Sequence, residues 1–486
     1  MSRMADAAKN SGWVLAGRGL ERLIRIAVVV VLARTLGVRG FGVYSFAFAF
    51  SELFAIFADA GLHAVLVREI AKDRNEAPRI LGSALVLKGI MALVSWVAMW
   101  VVAVSMIPAG ESRASVLVAS FLLFVSFRVT SLRALLDAPF EAGLRMAKPV
   151  MLGIGSEILS ATGIITAAWA GWPIPGLIAV QLILFVPGGV ILARLVFREV
   201  RPVIRFDPRH WFSLLRMAAP VGAASVFFII YTRTDLLMLE LILGERSVGM
   251  YSVAYKLIGS LSIIPLAIST SLLPLLSHAF SEGESDEVRK MYGAAMSLAM
   301  ALGLPIAVCG IVFPDAIIGL IFGPEFNPAA KAFQVLAGSM LLSFLLHVVA
   351  TTGVAVGKVG LFAAYAGLLA FLNAALNAAL IPPFGILGAS WATFVAETVM
   401  LLVALVVLRP DVGLPSGGTA LRAVGAAAAA AAGLVWIPAP MAFNLFINGV
   451  MYATLIFLWR GIAPEGLAMV KLLLEPRFRQ SKDSEE

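Results

Sequence analysis

Two stretches far apart in the chain decide the fold: Leu36–Phe48 reads LGVRGFGVYSFAF, and Leu243–Tyr255 reads LGERSVGMYSVAY. They share Leu, Gly, Arg, Gly, Tyr, Ser and Ala at equal offsets, with Phe48 opposite Tyr255. Apolar composition alone does not match the Gly, Arg, Tyr and Ser positions. The alternative to duplication is one turn solution adopted twice in lipid. Each stretch follows one long apolar run and opens another. Six predicted helices separate the two copies, so both turns face the same side of a membrane. That is a parallel repeat, two six-helix lobes related by an axis along the membrane normal, and it disfavours an inverted five-helix repeat.

The surrounding composition requires the membrane. The chain has 486 residues, of which 60% are hydrophobic and 14% charged, with a mean hydropathy of +0.96. A soluble protein carries roughly 25% charged residues. Apolar runs of about 20 residues, the length that crosses a bilayer as a helix, recur from end to end. Breaks at Gly, Pro and charged clusters predict about fourteen spans. The first twelve run over 11–36, 41–62, 80–107, 114–136, 149–170, 174–197, 211–243, 247–276, 288–313, 329–356, 360–381 and 386–408. Two more follow at 418–437 and 441–460. The first run is too long and too charged for a cleavable signal and reads as the first span. The expected organisation is an N-terminal lobe over 1–197, a linker over 198–210 and a C-terminal lobe over 211–409. Two further helices follow within 418–461, then a tail over 462–486. The single cysteine, Cys309, reads as a small core residue.

Lys and Arg orient the spans. With the N-terminus in the cytoplasm, about 25 of the 37 basic residues fall in inside connections and ends, the densest group being Arg194–Arg216. The outside connections hold Arg39, Arg113, Arg246 and Lys331. An even helix count then leaves both ends cytoplasmic. The net charge of +8 belongs to this bias and is no argument for nucleic acid.

The first span breaks the apolar rule. Gly17–Gly37 reads GRGLERLIRIAVVVVLARTLG. On a helix, Arg22 lies about 40° from Arg18, Arg25 about 20° to the other side and Glu21 about 60° away, so the four share a face. Snorkelling to the interface is one explanation. Length argues against it: from Leu23 to Gly37 the helix covers only about 22 Å, and a bilayer core is about 30 Å thick. Facing lipid, Arg22 and Arg25 would each cost roughly 2.5–3.5 kcal/mol or more. The cheaper arrangement aims the face into a hydrated cavity. Three cations against one nearby anion favour an anionic ligand, a phosphate or pyrophosphate matched by the guanidinium fork.

Other spans carry isolated charges: Glu52 and Asp59, seven apart on one face with Ser45, then Lys88, Arg128, Glu157, Arg233, Asp235, Glu240, Lys256 and Glu397. Each has two readings, a ligand contact or an internal ion pair that fixes packing, with Glu52 or Asp59 against a first-span arginine as the obvious pair. Enzymatic motifs are missing. Gly353–Gly360, GVAVGKVG, is one residue short of a P-loop and has Val359 in place of the hydroxyl. No GxSxG stands out, and four histidines with one cysteine give no metal spacing, so neither a catalytic residue nor a metal site is expected.

Four stretches resemble polysaccharide flippases of the Wzx type, a branch of the MOP exporter superfamily that also holds lipid II flippases and MATE drug exporters. They are LARTLGVRGFGVYSFAFAFSELFAIFADAGLHAVLVREIAK from Leu32, LRALLDAPFEAGLRMAKPV from Leu132, TRTDLLMLELILGERSVGMYSVAYKLIGSLSIIP from Thr232 and LIFGPEFNPAAKAFQVL from Leu320. The resemblance implies an all-α, fourteen-helix protein of the cytoplasmic membrane, MATE-like in fold. Its lobes would enclose a cationic cavity that carries undecaprenyl-pyrophosphate-linked oligosaccharide between leaflets. Arg18, Arg22 and Arg25 would then contact the pyrophosphate or acidic sugars, with Lys88, Arg128, Arg233 and Lys256 as partners. Glu52, Asp59, Glu157 and Asp235 become candidates for proton or sodium coupling, with no other cofactor. A polysaccharide polymerase and a chain-length regulator become candidate partners. A MATE-like drug exporter, a lipid II flippase and a major-facilitator transporter are alternatives. A membrane glycosyltransferase or polymer ligase would need a long polar loop that the predicted outer connections lack.

Overall fold

A computed structural model of the chain describes residues 2–126 and 131–413, with short helical pieces at 421–422, 424–428, 449, 451–452 and 454–456. Among the described residues the structure is helical and contains no strand. Nine helical segments among the described residues are long and apolar enough to cross a membrane. Their outward faces are those of a lipid-embedded protein: Leu93, Val94, Val97 and Val101 on one helix, and Leu402 and Val406 on another, are exposed. The protein is therefore an all-α, multi-pass membrane protein.

The chain forms two compact units, Met1–Ser252 and Val253–Glu486. The first holds α1 (Ser2–Asp59), α2 (Leu62–Lys72), α3 (Ala77–Met106), α4 (Glu111–Ala119), α5 (Leu122–Val125), α6 (Ala138–Ala142), α7 (Ala147–Trp169), α8 (Ile174–Glu199) and α9 (Pro208–Leu243). It ends within α10 (Glu245–Ser260). The second holds the rest of α10, α11 (Ile263–Ser281), α12 (Ser285–Val312), α13 (Pro314–Phe322), α14 (Ala330–Ala355) and α15 (Val359–Val412).

Two of these helices are pairs of spans joined at a glycine. α1 breaks at Gly37 (φ 66°, ψ −178°) and α15 at Gly385 (φ 60°, ψ −136°), conformations that a Cβ disfavours. The expected first and second spans are thus the two arms of α1, and the expected eleventh and twelfth are the arms of α15. Gly244, the repeat partner of Gly37, takes the same turn (φ 80°, ψ −179°). The two copies also pack reciprocally within the first unit. A Cβ on Gly42 would strike the carbonyl of Glu245, and one on the equivalent Gly249 would strike the carbonyl of Val38, itself the equivalent of Glu245. Small residues let backbones approach this closely in lipid. The shared dihedrals and reciprocal contacts support the internal repeat.

Two expected spans are interrupted. The fourth, 114–136, is not one helix: α4 ends at Ala119, α5 is one turn, and 133–137 form a 3₁₀ turn. Its serines redirect the backbone. The Ser120 hydroxyl accepts from the indoles of Trp96 (2.8 Å) and Trp100 (3.1 Å) and donates to the Leu117 carbonyl (2.6 Å). Further on, Ser131 donates to the Ser126 carbonyl (2.5 Å), and the Leu132 N–H to the Leu123 carbonyl (2.8 Å), so the chain folds back on itself. The eighth, 247–276, divides between α10 and α11, where Pro265 has no N–H to offer the Leu261 carbonyl. The last two expected spans lie mainly outside the described residues. Of those described, Ala426, Ala427, Tyr452 and Ile456 pack with Ala301 and Leu304 of α12, and the Tyr452 hydroxyl donates to the Ala301 carbonyl (2.9 Å).

Each unit has its own core. In the first, Leu62 and Leu66 of α2 meet Leu81 of α3, Phe140 of α6, Leu192 and Val196 of α8, and Leu214 of α9. In the second, Leu272 and Leu276 of α11, Tyr292 and Ala299 of α12, Phe344 and Val348 of α14 and Leu408 of α15 are buried together. The expected inter-lobe linker is an irregular stretch between α8 and α9, tied to the first unit: the Val203 N–H donates to the Pro78 carbonyl (2.8 Å), beside Gly82. Asp207 closes it by accepting from the His210 N–H (3.1 Å), and that hydrogen bond holds its carboxyl below the usual range.

Candidate functional site

The basic face of α1 lies within the first unit, against α7. Arg25 is half-exposed and sits between two carboxylates. Its Nη2 donates to Glu21 Oε2 (3.2 Å), one turn back, and its Nε lies 3.4 Å from Glu157 Oε1 on α7. Arg18 is exposed and Arg22 partly buried on the same arm. The face therefore holds three arginines against two acids, not one. Glu157, expected as a coupling group, pairs with Arg25.

The face continues into residues that the sequence reading did not single out. Arg133 is buried in the 3₁₀ turn, 3.6 Å from Asp137, and both lie within electrostatic reach of Glu21. Nearby, His63 Nε2 is 3.1 Å from Glu141 Oε2. That hydrogen bond holds the Glu141 carboxyl below its usual range against the opposing effect of burial, with the charges of His63 and Arg18 helping. Asp137 Oδ1 and His63 Nδ1 are buried without a hydrogen-bond partner among the described residues. The available signal was the i,i+4 pair Arg133–Asp137; the boundary of the expected 114–136 span fell between the two and hid it.

The other expected site residues divide sharply. Lys88 is fully buried and donates to Asp59 Oδ1 (2.5 Å), binding α3 to α1, so it presents no surface to a ligand in this structure. Arg233 Nε donates to Glu52 Oε2 (2.5 Å), binding α9 to α1. The two acids do pair, as expected of acids on an internal face, but with α3 and α9 rather than with the arginines of α1. Burying a charge without a partner is costly, so each pair fixes the neighbour that α1 accepts. Asp235 is buried and accepts from the Tyr251 hydroxyl (2.5 Å) and the Leu236 N–H (2.8 Å). Lys256 is partly buried in the second unit. Arg128 lies outside the described residues.

A second polar cluster surrounds the paired turns. Arg39 Nε donates to Glu245 Oε2 (2.7 Å), and the Ser112 hydroxyl contacts both Glu245 (2.7 Å) and Glu240 (3.4 Å). Glu240, for which a ligand contact and an internal ion pair were the two readings, accepts from Ser112 beside the paired turns. In the second unit, Asn373 and Asn377 of α15 are buried and bonded to each other (2.9 Å). Glu397, on the second arm of the same helix, is also buried. Among the described residues no group of three or more His, Cys, Asp or Glu side chains could hold a metal ion.

On this face three arginines stand against two carboxylates, with Arg18 and Arg25 open at the surface. A family model described as polysaccharide biosynthesis protein matches residues 7–280, more than half of the chain and the whole of that face. The chain belongs to this family. A second family model, MatE, matches residues 220–379. A putative O-antigen transporter of Shigella flexneri is 24% identical over 364 residues, which cover 70% of this chain and 82% of the relative. A probable low-salt glycan biosynthesis flippase of Haloferax volcanii is 27% identical over 191 residues, 39% of this chain and 40% of the relative. The match thus spans less than half the length of that archaeal relative. Among solved structures, the lipid II flippase MurJ in an inward closed conformation aligns with a TM-score of 0.71. The alignment covers 93% of this chain and 99% of that one, at 13% identity. An inward-facing multidrug resistance MATE family transporter of the MOP superfamily gives 0.64, covering 80% and 95%, at 16% identity. These likenesses are of fold, and they place the chain among MurJ- and MATE-like structures, as the resemblance implies.

Proposed function

We propose that the protein is a flippase that carries undecaprenyl-pyrophosphate-linked oligosaccharide across the cytoplasmic membrane by alternating access, for the assembly of a surface polysaccharide. The observation that carries this reading is the family match over residues 7–280, which contains the arginine face of α1. Arg18, Arg22 and Arg25 meet the pyrophosphate or acidic sugars; Arg233, a quarter exposed, can join them if it leaves Glu52. The lipid tail stays in the bilayer while the head group crosses. Asp235, held by hydrogen bonds from Tyr251 and Leu236, is the coupling carboxylate of choice, because Glu52, Asp59 and Glu157 each hold a cation. A polymerase and a chain-length regulator act next on the delivered oligosaccharide. A cell lacking this protein accumulates the lipid-linked oligosaccharide on the inner leaflet and loses the surface polymer. Normal polymer in a clean deletion, with no second flippase gene, would contradict the reading.

In this proposal both ends are cytoplasmic. The Arg194–Arg216 segment faces the cytoplasm, and the Gly37 and Gly244 turns face outward. Single cysteines in a Cys309→Ala background, exposed to an impermeant thiol reagent from outside, are expected to react in the two turns and to stay unlabelled near Arg201. The opposite pattern would overturn the orientation.

A further inference from the structure

The end of α8, the start of α9 and the stretch that joins them present a basic surface in the first unit, apart from the arginine face of α1. Arg194, Arg198, Arg201, Arg205, Arg209 and Arg216 are all exposed, and none forms an ion pair with another described residue. The two carboxylates of the stretch are already engaged: Glu199 with Arg145 (3.1 Å) and Asp207 with Arg79 (3.8 Å). Between the arginines, large apolar side chains stand in the open: Ile204 is 66% exposed, Phe206 74% and Phe212 70%. A solvated loop would have no reason to display them.

The backbone that carries these groups is held. Val203 is bonded to the Pro78 carbonyl against Gly82, and Arg201 takes a left-handed turn (φ 49°) where α8 ends. Phe206 stacks edge-on against the buried Trp211, with ring centroids 4.4 Å apart. The segment also has a fixed depth, since α8 and α9 are both candidate spans and it joins their ends. A surface of this kind combines guanidinium forks, which match phosphate oxygens, with aromatic and aliphatic groups, which suit the acyl boundary.

We propose that the 194–216 segment is a docking surface for anionic phospholipid, its arginines holding headgroup phosphates while Ile204, Phe206 and Phe212 sit in the interfacial layer. Charge complementarity selects this occupant. Orientation by positive charge alone needs neither the pinned backbone nor the exposed apolar groups. Clusters of four to eight basic residues beside a membrane helix are the usual footprint of acidic-lipid recognition. This lipid contact is independent of what the protein transports.

The test uses purified full-length protein, with Ile204→Cys in a Cys309→Ala background labelled by a small fluorophore. It is placed in vesicles of phosphatidylcholine with 20% phosphatidylglycerol, an arbitrary probe composition of roughly physiological acidity. Bromine is carried on one lipid or the other. Brominated phosphatidylglycerol should quench more strongly, mole for mole, than brominated phosphatidylcholine, and raised salt should shrink the difference. Replacing Arg198, Arg201, Arg205 and Arg209 by Gln should abolish the preference, each arginine being worth roughly fivefold in local enrichment. Equal quenching by the two lipids, or a preference that survives in the quadruple variant, would overturn the assignment. No quenching by either lipid would also overturn it and leave the surface to a protein partner. If the quadruple variant does not fold, the salt dependence of the wild-type preference decides alone: a salt-insensitive preference contradicts the proposal.

Discussion

Gly42→Leu is expected to remove most of the folded protein from the membrane. The Cβ of any residue at 42 meets the Glu245 carbonyl, and a Cβ at 249 meets the Val38 carbonyl, so both partners are backbone and neither can turn aside. Overpacking a core costs typically 1–3 kcal/mol when side chains can give; here the two helix starts must separate. The separation would also disturb Arg39–Glu245 (2.7 Å) and Ser112–Glu245 (2.7 Å). Gly42→Ala should be damaging as well, though less so, and Gly249→Leu should match Gly42→Leu because the contact is reciprocal. Gly89→Ala is the control: nothing lies within 4 Å of its Cβ, and a helical Gly to Ala change gains up to about 1 kcal/mol. Monodisperse yield and melting temperature in detergent measure the difference. A Gly42→Leu protein as abundant and stable as Gly89→Ala would show that the turns do not approach as described.

The second large effect is at Arg25. Loss of a charge-assisted contact to an anionic head group, worth about 1.5–3 kcal/mol, predicts that Arg25→Ala lowers export by roughly tenfold to a hundredfold. Arg25→Lys should keep part of the activity, since the charge remains and the fork is lost. Arg25→Glu should be worse than alanine, because it repels the pyrophosphate. The rival is a purely structural role through Glu21 and Glu157. Arg25 leaves 48% of its side chain open, and pairs that exposed contribute little to stability. A structural role predicts low abundance rescued by Arg25→Glu combined with Glu157→Arg. A ligand role predicts normal abundance and no rescue of export by the swap. Export per folded molecule separates them.

What was legible in the sequence follows from what is local. Gly37 and Gly244 could be matched because a turn needing positive φ leaves glycine at a fixed offset, and the surrounding residues repeat with it. Glu52 and Asp59 could be placed on one internal face because seven residues nearly close two turns. Their partners could not be named, since Lys88 lies on α3 and Arg233 on α9, and the choice of neighbour is made by tertiary packing. The fourth span misled because hydropathy counts Ser120 and Ser126 as mildly polar. It does not register that a hydroxyl can take two indole hydrogen bonds, nor that the Leu132 N–H reaches the Leu123 carbonyl. Arg133 and Asp137 were lost with it. The arginine face of α1 was the reverse case: helical geometry gathered Arg18, Arg22 and Arg25, and only the second acid, Glu157, came from elsewhere in the fold.

The central claim is that this face binds the anionic head of a lipid-linked substrate. Its most direct test is equilibrium binding of undecaprenyl pyrophosphate to purified wild-type protein and to a variant with Arg18, Arg22 and Arg25 all changed to Gln, each shown to be folded by its melting temperature. The expected result is saturable binding by the wild type, weakened by salt, and loss of that binding in the variant. A folded variant that binds undecaprenyl pyrophosphate as tightly as the wild type would contradict it.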